Sequence, residues 1–171
     1  MAMILGMSES AFTQLHVVIS LIGIGTGLVA AWGMLQSRRL EGWTAVFLAT
    51  TVLTDVTGYF FPRDHILPSH IVGALSLALL ALAIAALYVY RLRGAWRWIY
   101  VVTAVASLYL NCFVAVFQSF LKIPALKALA PTGSEPPFVI AQASVLVLFI
   151  ALAIIAARRF HPATRDALVP V

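Results

Sequence analysis

Charge is what this 171-residue chain has least of. Only 10% of its residues are Asp, Glu, Lys or Arg, where a water-soluble domain carries about 25%. Cysteine occurs once, at Cys112. No intramolecular disulfide can form, paired-thiol chemistry is excluded, and a lone Cys in an apolar run behaves as a small hydrophobe. No nucleophile–base pair and no metal-ligand cluster stands out, so nothing in the residues argues for an enzyme or a metal site. Met1 to Ser10 has no basic residue ahead of its apolar part. That lacks the charged start of a signal peptide, and the first apolar run is expected to remain as a spanning helix. No lipidation signal is evident either.

What is there is hydrophobic. The chain is 63% apolar, with a mean hydropathy of +1.02. Five runs approach or exceed the ~20 residues needed to cross the hydrocarbon core. These observations predict an all-α integral membrane protein, one domain over 1–171. It is a bundle of five transmembrane helices over 12–35, 43–61, 70–90, 95–121 and 138–157, with an outer loop over 122–137. A net charge of +5 would suggest nucleic acid in a soluble protein. Here the arginines flank apolar runs, so nucleic-acid binding is not expected and the lipid bilayer is the first partner. Arg38, Arg39, Arg91, Arg93, Arg97, Arg158, Arg159 and Arg165 fall on one side, against Arg63, Lys122 and Lys127 on the other. The positive-inside rule then sets the N-terminus out and the C-terminus in.

The informative residues are the polar ones inside these runs. The second run holds Thr50, Thr51, Thr54, Asp55, Thr57, Gly58 and Tyr59. A charge at such depth costs on the order of 2.5–3.5 kcal/mol by insertion scales and requires a partner, a proton or water. The fourth run carries Ser107, Asn111, Gln118 and Lys122 along one face, and the fifth carries Gln142 and Ser144. In the first run, His16, Ser20, Gly23 and Gly27 share a stripe, with Gly23 and Gly27 spaced for close helix packing. The third run is almost featureless apart from His70 at its start. Tyr88, Tyr90, Trp96, Trp98 and Tyr100 form an interfacial belt.

Counting in from the cytoplasmic ends at ~1.5 Å per residue sets Asp55, Asn111 and Gln142 about 18–22 Å deep, and His16, His70 and Gln118 near 30 Å. Two polar layers therefore occupy the outer half, and the inner half is expected to be almost wholly aliphatic. The functional reading is a periplasm-facing pocket centred on Asp55, with Tyr59, Asn111, Gln118 and Gln142 around it. It would bind or transport a small molecule or ion, with proton linkage through the carboxylate. The structural alternative is interhelical glue, a protonated Asp55 bonding Asn111 or Gln142 to fix helix register. A non-catalytic accessory or scaffold subunit of a larger membrane complex, or of a homo-oligomer, is the second functional class. A haem b or quinone redox protein with His16 and His70 as axial ligands is the third. His65 and His161 belong to loops.

Several stretches bear a resemblance. Leu53-Thr54-Asp55-Val56-Thr57-Gly58-Tyr59-Phe60-Phe61-Pro62, Trp96-Arg97-Trp98-Ile99-Tyr100, Leu108-Tyr109-Leu110-Asn111 and the 130–138 segment resemble a group of small bacterial polytopic inner-membrane proteins with no assigned activity. That resemblance implies a multi-pass protein of the bacterial inner membrane. His16 together with His70-Ile71-Val72-Gly73 is similar to cytochrome b561-like membrane proteins, which implies haem. Where that family has further histidines at the cytoplasmic helix ends, this chain has Trp43 and Trp96.

Overall fold

The computed structural model describes residues 3–62 and 68–162. Arg63 and His65 of the expected outer loop, and Arg165 of the tail, lie outside these. Two short antiparallel strands, β1 (Met3–Ile4) and β2 (Met7–Ser8), precede the helices. The helices are α1 (Glu9–Leu35), α2 (Glu41–Gly58), α3 (Pro68–Ile84), α4 (Trp96–Lys122), α5 (Pro124–Leu129) and α6 (Pro136–Arg159). The third run was expected as one continuous helix. Instead α3 widens into a π-helical turn over Ala85–Val89. Short α5 lies within the segment 122–137 that was expected as an outer loop.

Four helical segments are long and apolar enough to cross a bilayer: α1, Ser69–Val89, α4 and α6. That is the make-up of a multi-pass membrane protein. The remaining expected span, α2, has 18 residues and includes Glu41 and Asp55, so its composition falls short of the others. Its length of about 27 Å nevertheless approaches the hydrocarbon thickness.

Local chemistry explains the helix ends. Ser8 Oγ accepts from Ala11 N at 3.3 Å and caps α1. At the other end Arg38 N reaches Gly33 O (2.8 Å) and Ser37 N reaches Met34 O (3.1 Å). This is the paired closure of a Schellman motif. Ser37 takes the left-handed position (φ 56°) usually given to glycine, and its Oγ accepts from His161 N at 2.8 Å. Between the π turn and α4, Arg91, Leu92 and Gly94 all have positive φ. Buried Leu92 and a parallel Tyr90–Trp96 stack at 3.7 Å hold that reversal.

The helices α1, α2, α3 and α4 form a ring, each packing on the next and α4 returning to α1; α6 lies outside it against α4 and α1. Arg97 Nη1 donates to Phe160 O (2.6 Å) and Ala157 O (3.2 Å), which ties the start of α4 to the end of α6. With the His161–Ser37 bond, this gathers Arg38, Arg39, Arg91, Arg93, Arg97, Arg158 and Arg159 at one end of the bundle. The half toward that end holds the apolar core, including Ala30, Phe47, Leu80, Val101, Leu108 and Phe160. It is not wholly aliphatic, as the sequence suggested, because Thr44, Thr103 and Ser107 are buried there. Thr103 Oγ1 and Ser107 Oγ donate to Ile99 O and Thr103 O of their own helix. Hydroxyls satisfied in this way sit in an apolar region at small cost.

Gly27 sets how closely α1 approaches its neighbours. A Cβ there would stand 2.5 Å from Leu108 Cδ1 and 2.8 Å from Phe47 Cδ2, whereas one at Gly25 would meet nothing within 4 Å. Gly27→Ala is therefore expected to lower stability by about 1–3 kcal/mol through overpacking. Gly25→Ala should be neutral or stabilising by up to ~1 kcal/mol. Equilibrium unfolding in mixed micelles reads the difference, and equal effects would remove Gly27 as the close contact.

The α5–α6 link carries a second testable feature. Glu135 Oε1 accepts from Thr132 N (3.0 Å) and Thr132 Oγ1 (2.9 Å), and Oε2 accepts from Ser134 N (3.1 Å). These bonds, the Thr132 backbone N–H foremost, pull the carboxyl down to about 2. A lowered folded-state value favours the ionised form. The contribution is thus complete above the ordinary carboxylate range and is lost as pH falls toward about 2. Hydrogen-exchange protection of the Thr132 and Ser134 amides should follow that course and be weak at every pH in Glu135→Gln.

Candidate functional site

Away from the arginines, the four ring helices part around a polar cavity of about 100 Å³. Helical spacing brings the lining together, because residues three, four and seven apart share a face. From α1 come His16 and Ser20; from the end of α2, Thr54, Asp55, Gly58 and Tyr59. From α3 come Ser69, His70, Gly73 and Ser76; from α4, Asn111 and Val114. The expected separate layers of Asp55 with Asn111 and of His16 with His70 are thus one cavity. The cavity spans both levels expected from the helix counts.

The upper wall is tied by directed bonds. His16 Nδ1 and Thr57 Oγ1 are 2.8 Å apart. Thr57 also lies 2.7 Å from Leu53 O and donates its one hydroxyl proton there, so Nδ1–H of His16 is the donor to Thr57. The His16 ring stands edge-on to Phe61 at 5.3 Å. Tyr59 donates through its hydroxyl to His70 O at 2.7 Å and stacks on the His70 ring at 5.5 Å. The Tyr59 ring lies over Gly73, where a Cβ would make an ordinary contact at 3.4 Å with its hydroxyl. Deeper, Ser20 Oγ donates to Asn111 Oδ1 at 2.8 Å.

Among the described residues, Asp55 Oδ2, Ser76 Oγ and Asn111 Nδ2 are buried polar atoms of lining residues without a well-formed hydrogen bond, although the Ser76 hydroxyl lies within reach of the Asp55 carboxyl across the α2–α3 contact. Ser76 is 2% exposed and Asn111 7%. Leaving such atoms dry costs about 1–3 kcal/mol each. One water occupies roughly 10–15 Å³ measured in this way, so the cavity has room for several. It is a pocket with one carboxylate, and among its described lining residues there is no Lys or Arg.

Of the residues singled out from sequence, Asp55, Tyr59, Asn111, His16 and His70 meet here. Gln118 and Gln142 do not line the cavity. Gln142 sits on α6, outside the ring, where its Nε2 donates to Phe113 O at 3.1 Å. Ser20 was visible as part of a stripe without a role. Ser76 was missed altogether, although Ser69, Gly73 and Ser76 recur at intervals of four and three, a small polar face on a helix that looked featureless.

The residues do not fit a haem held by His16 and His70. The Thr57 bond uses His16 Nδ1 and leaves Nε2 free, so the misfit is one of space, with the His70 ring stacked on Tyr59. The space between is about 100 Å³, below even the ~300–1,000 Å³ of drug-sized ligand pockets. Among the described residues no group of three or more His, Cys, Asp or Glu could hold a metal ion. In comparisons with known proteins, no family model, curated protein or solved structure matches the chain. The functional argument therefore rests on the geometry of this cavity.

The partner choices make a double-mutant prediction. Ser20→Ala and Asn111→Ala should couple by about 0.6 kcal/mol, and by no more than ~1.7, the range for interhelical bonds in membranes. Gln142→Ala and Asn111→Ala should be additive, since they share no partner. Unfolding of the three single and two double variants in mixed micelles measures both.

Proposed function

We propose that this chain is a five-span protein of a bacterial inner membrane, with its N-terminus outside and its C-terminus in the cytoplasm. Its polar cavity opens to the periplasm and binds or transports a small molecule or ion, with Asp55 as the ionisable centre. The observation that carries this is the convergence of Asp55, Ser76 and Asn111, from three different helices, on one cavity. The gathering of arginines at the opposite end supports the orientation by the positive-inside rule. The fifth span is α2, its polar side turned to the ring interior rather than to lipid.

A second reading is an accessory subunit that docks through α6. The outward face of that helix favours it, with Ile140, Val147 and Leu148 exposed by 64%, 64% and 67%. Lipid tails cover such a face equally well, so the cavity carries the first reading.

Cysteine accessibility tests it. In a Cys112→Ala background, Ser76→Cys should react with a small membrane-impermeant thiol reagent added to the periplasmic face of oriented vesicles. Ser107→Cys, one helix away and below the Gly27 contact, should stay unreactive. Labelling of Ser76→Cys only from the cytoplasmic face, or from neither, would overturn the proposal.

A further inference from the structure

We infer that the species this cavity takes up is the proton, brought in on water and received by Asp55. The inference rests on the reading above and narrows its ligand. The hydrogen-bonding capacity of the lining makes the distinction. Asn111 Oδ1 is already occupied by Ser20, and its Nδ2 lies against the α1 backbone, 3.3 Å from the Cβ position of Gly23, so Asn111 has no free oxygen to offer a cation. A bare alkali cation then finds one carboxylate and scattered hydroxyls, which do not replace its hydration shell. Water suits the Asp55 carboxyl in either charge state, donating to it or accepting from it, with the Ser76 hydroxyl alongside.

The same waters serve both charge states of the acid. In the ionised state a water donates to the carboxylate. When a hydronium in the cavity gives up its proton, one O–H bond breaks there, one forms at the carboxyl, and the hydronium becomes water; no electrons change hands. The carboxyl O–H then donates to the water that formerly donated to it. Among the described residues, His16 faces this exchange from α1, Tyr59 from the end of α2 and His70 from α3, while α4 contributes the neutral Asn111. Lys122, at the end of α4, is close enough to His16 to act on it electrostatically. Among the described lining residues no Lys or Arg locks the carboxylate as an ion pair.

Below the cavity the path ends. Leu108 and Phe47 crowd against Gly27 with no room for a methyl group, and the hydroxyls beyond, at Thr103 and Ser107, are committed to their own helix. Protons therefore enter and leave Asp55 by one face. In this conformation the device is a one-sided proton site rather than a through-path.

Infrared difference spectroscopy on the full chain in proteoliposomes tests this. Stepping the external pH downward should add one protonated-carboxyl C=O stretch per chain, shifted on exchange into deuterated water, absent in Asp55→Asn and displaced but present in Asp55→Glu. Raising sodium or potassium chloride at constant pH should leave the band unchanged. The inference is overturned if wild type and Asp55→Glu gain no band at any pH at which they remain folded, or if sodium removes the band at constant pH, which would make the site an alkali-cation site. A labelled Ser76→Cys with no titrating band defeats the proton assignment alone. An unlabelled Ser76→Cys defeats the pocket beneath it.

Discussion

The close approach of α1 to α2 and α4 at Gly27 is the contact on which the rest of the bundle depends. In hydrocarbon, apolar burial gives helices little reason to associate, because lipid tails solvate Leu as well as protein does; shape and polar contacts decide. Gly27 lets Phe47 and Leu108 lie directly against the α1 backbone. Four residues earlier, Gly23 presents its bare face to polar atoms instead, with Thr50 Oγ1, Thr51 Oγ1 and Asn111 Nδ2 all within 3.3 Å of a Cβ position. One turn of helix thus separates an apolar seal from the start of the hydrated region. Above Gly23 the stripe continues as Ser20 and His16, and the helices diverge around the cavity.

The polar residues then sort by what they can reach. If the role of Asp55 and Asn111 were only to hold helices in register, their groups would be spent on each other. Asn111 instead bonds Ser20, and Gln142 bonds a backbone carbonyl of α4. Both are interhelical ties of the structural kind. Asp55, Asn111 and Ser76 all line the same space, with the Ser76 hydroxyl beside the Asp55 carboxyl. A buried polar group left dry costs about 1–3 kcal/mol, and the space has room for water beside these residues. The register function and the pocket therefore coexist, and Asn111 serves both.

Much of this was legible in the chain. Hydropathy and arginine placement mark the long helices, and the polar stripe of α2 and the spacing of Ser107 and Asn111 mark the faces that turn inward. Cavity membership was less legible, for physical reasons. Depth counted along straight helices set Gln142 level with Asp55, but level does not say which helices share a wall, and α6 packs outside the ring. Ser76 was overlooked because a lone serine among leucines resembles the many that bond their own backbone. Here no such bond forms. The π turn at Ala85–Val89 has no sequence signal beyond two consecutive small residues, and the reversal that follows it is held by Tyr90 and Trp96, which read only as an interfacial belt.

The composition of α2 follows from the same arrangement. It falls short of the other long helices in hydropathy because of the residues that face the ring, namely Thr44, Thr51, Thr54 and Asp55. Thr51 and Thr54 soften the cost by donating to Phe47 O and Thr50 O, one turn back. Asp55 has no such recourse, since a carboxylate brings only acceptors unless it is protonated. A helix of this kind is tolerated in lipid only with α1 and α3 already alongside and water within reach of its acid. The residues that lower the hydropathy of α2 are therefore in large part those the cavity requires, and that low hydropathy belongs to the site as much as Asp55 does.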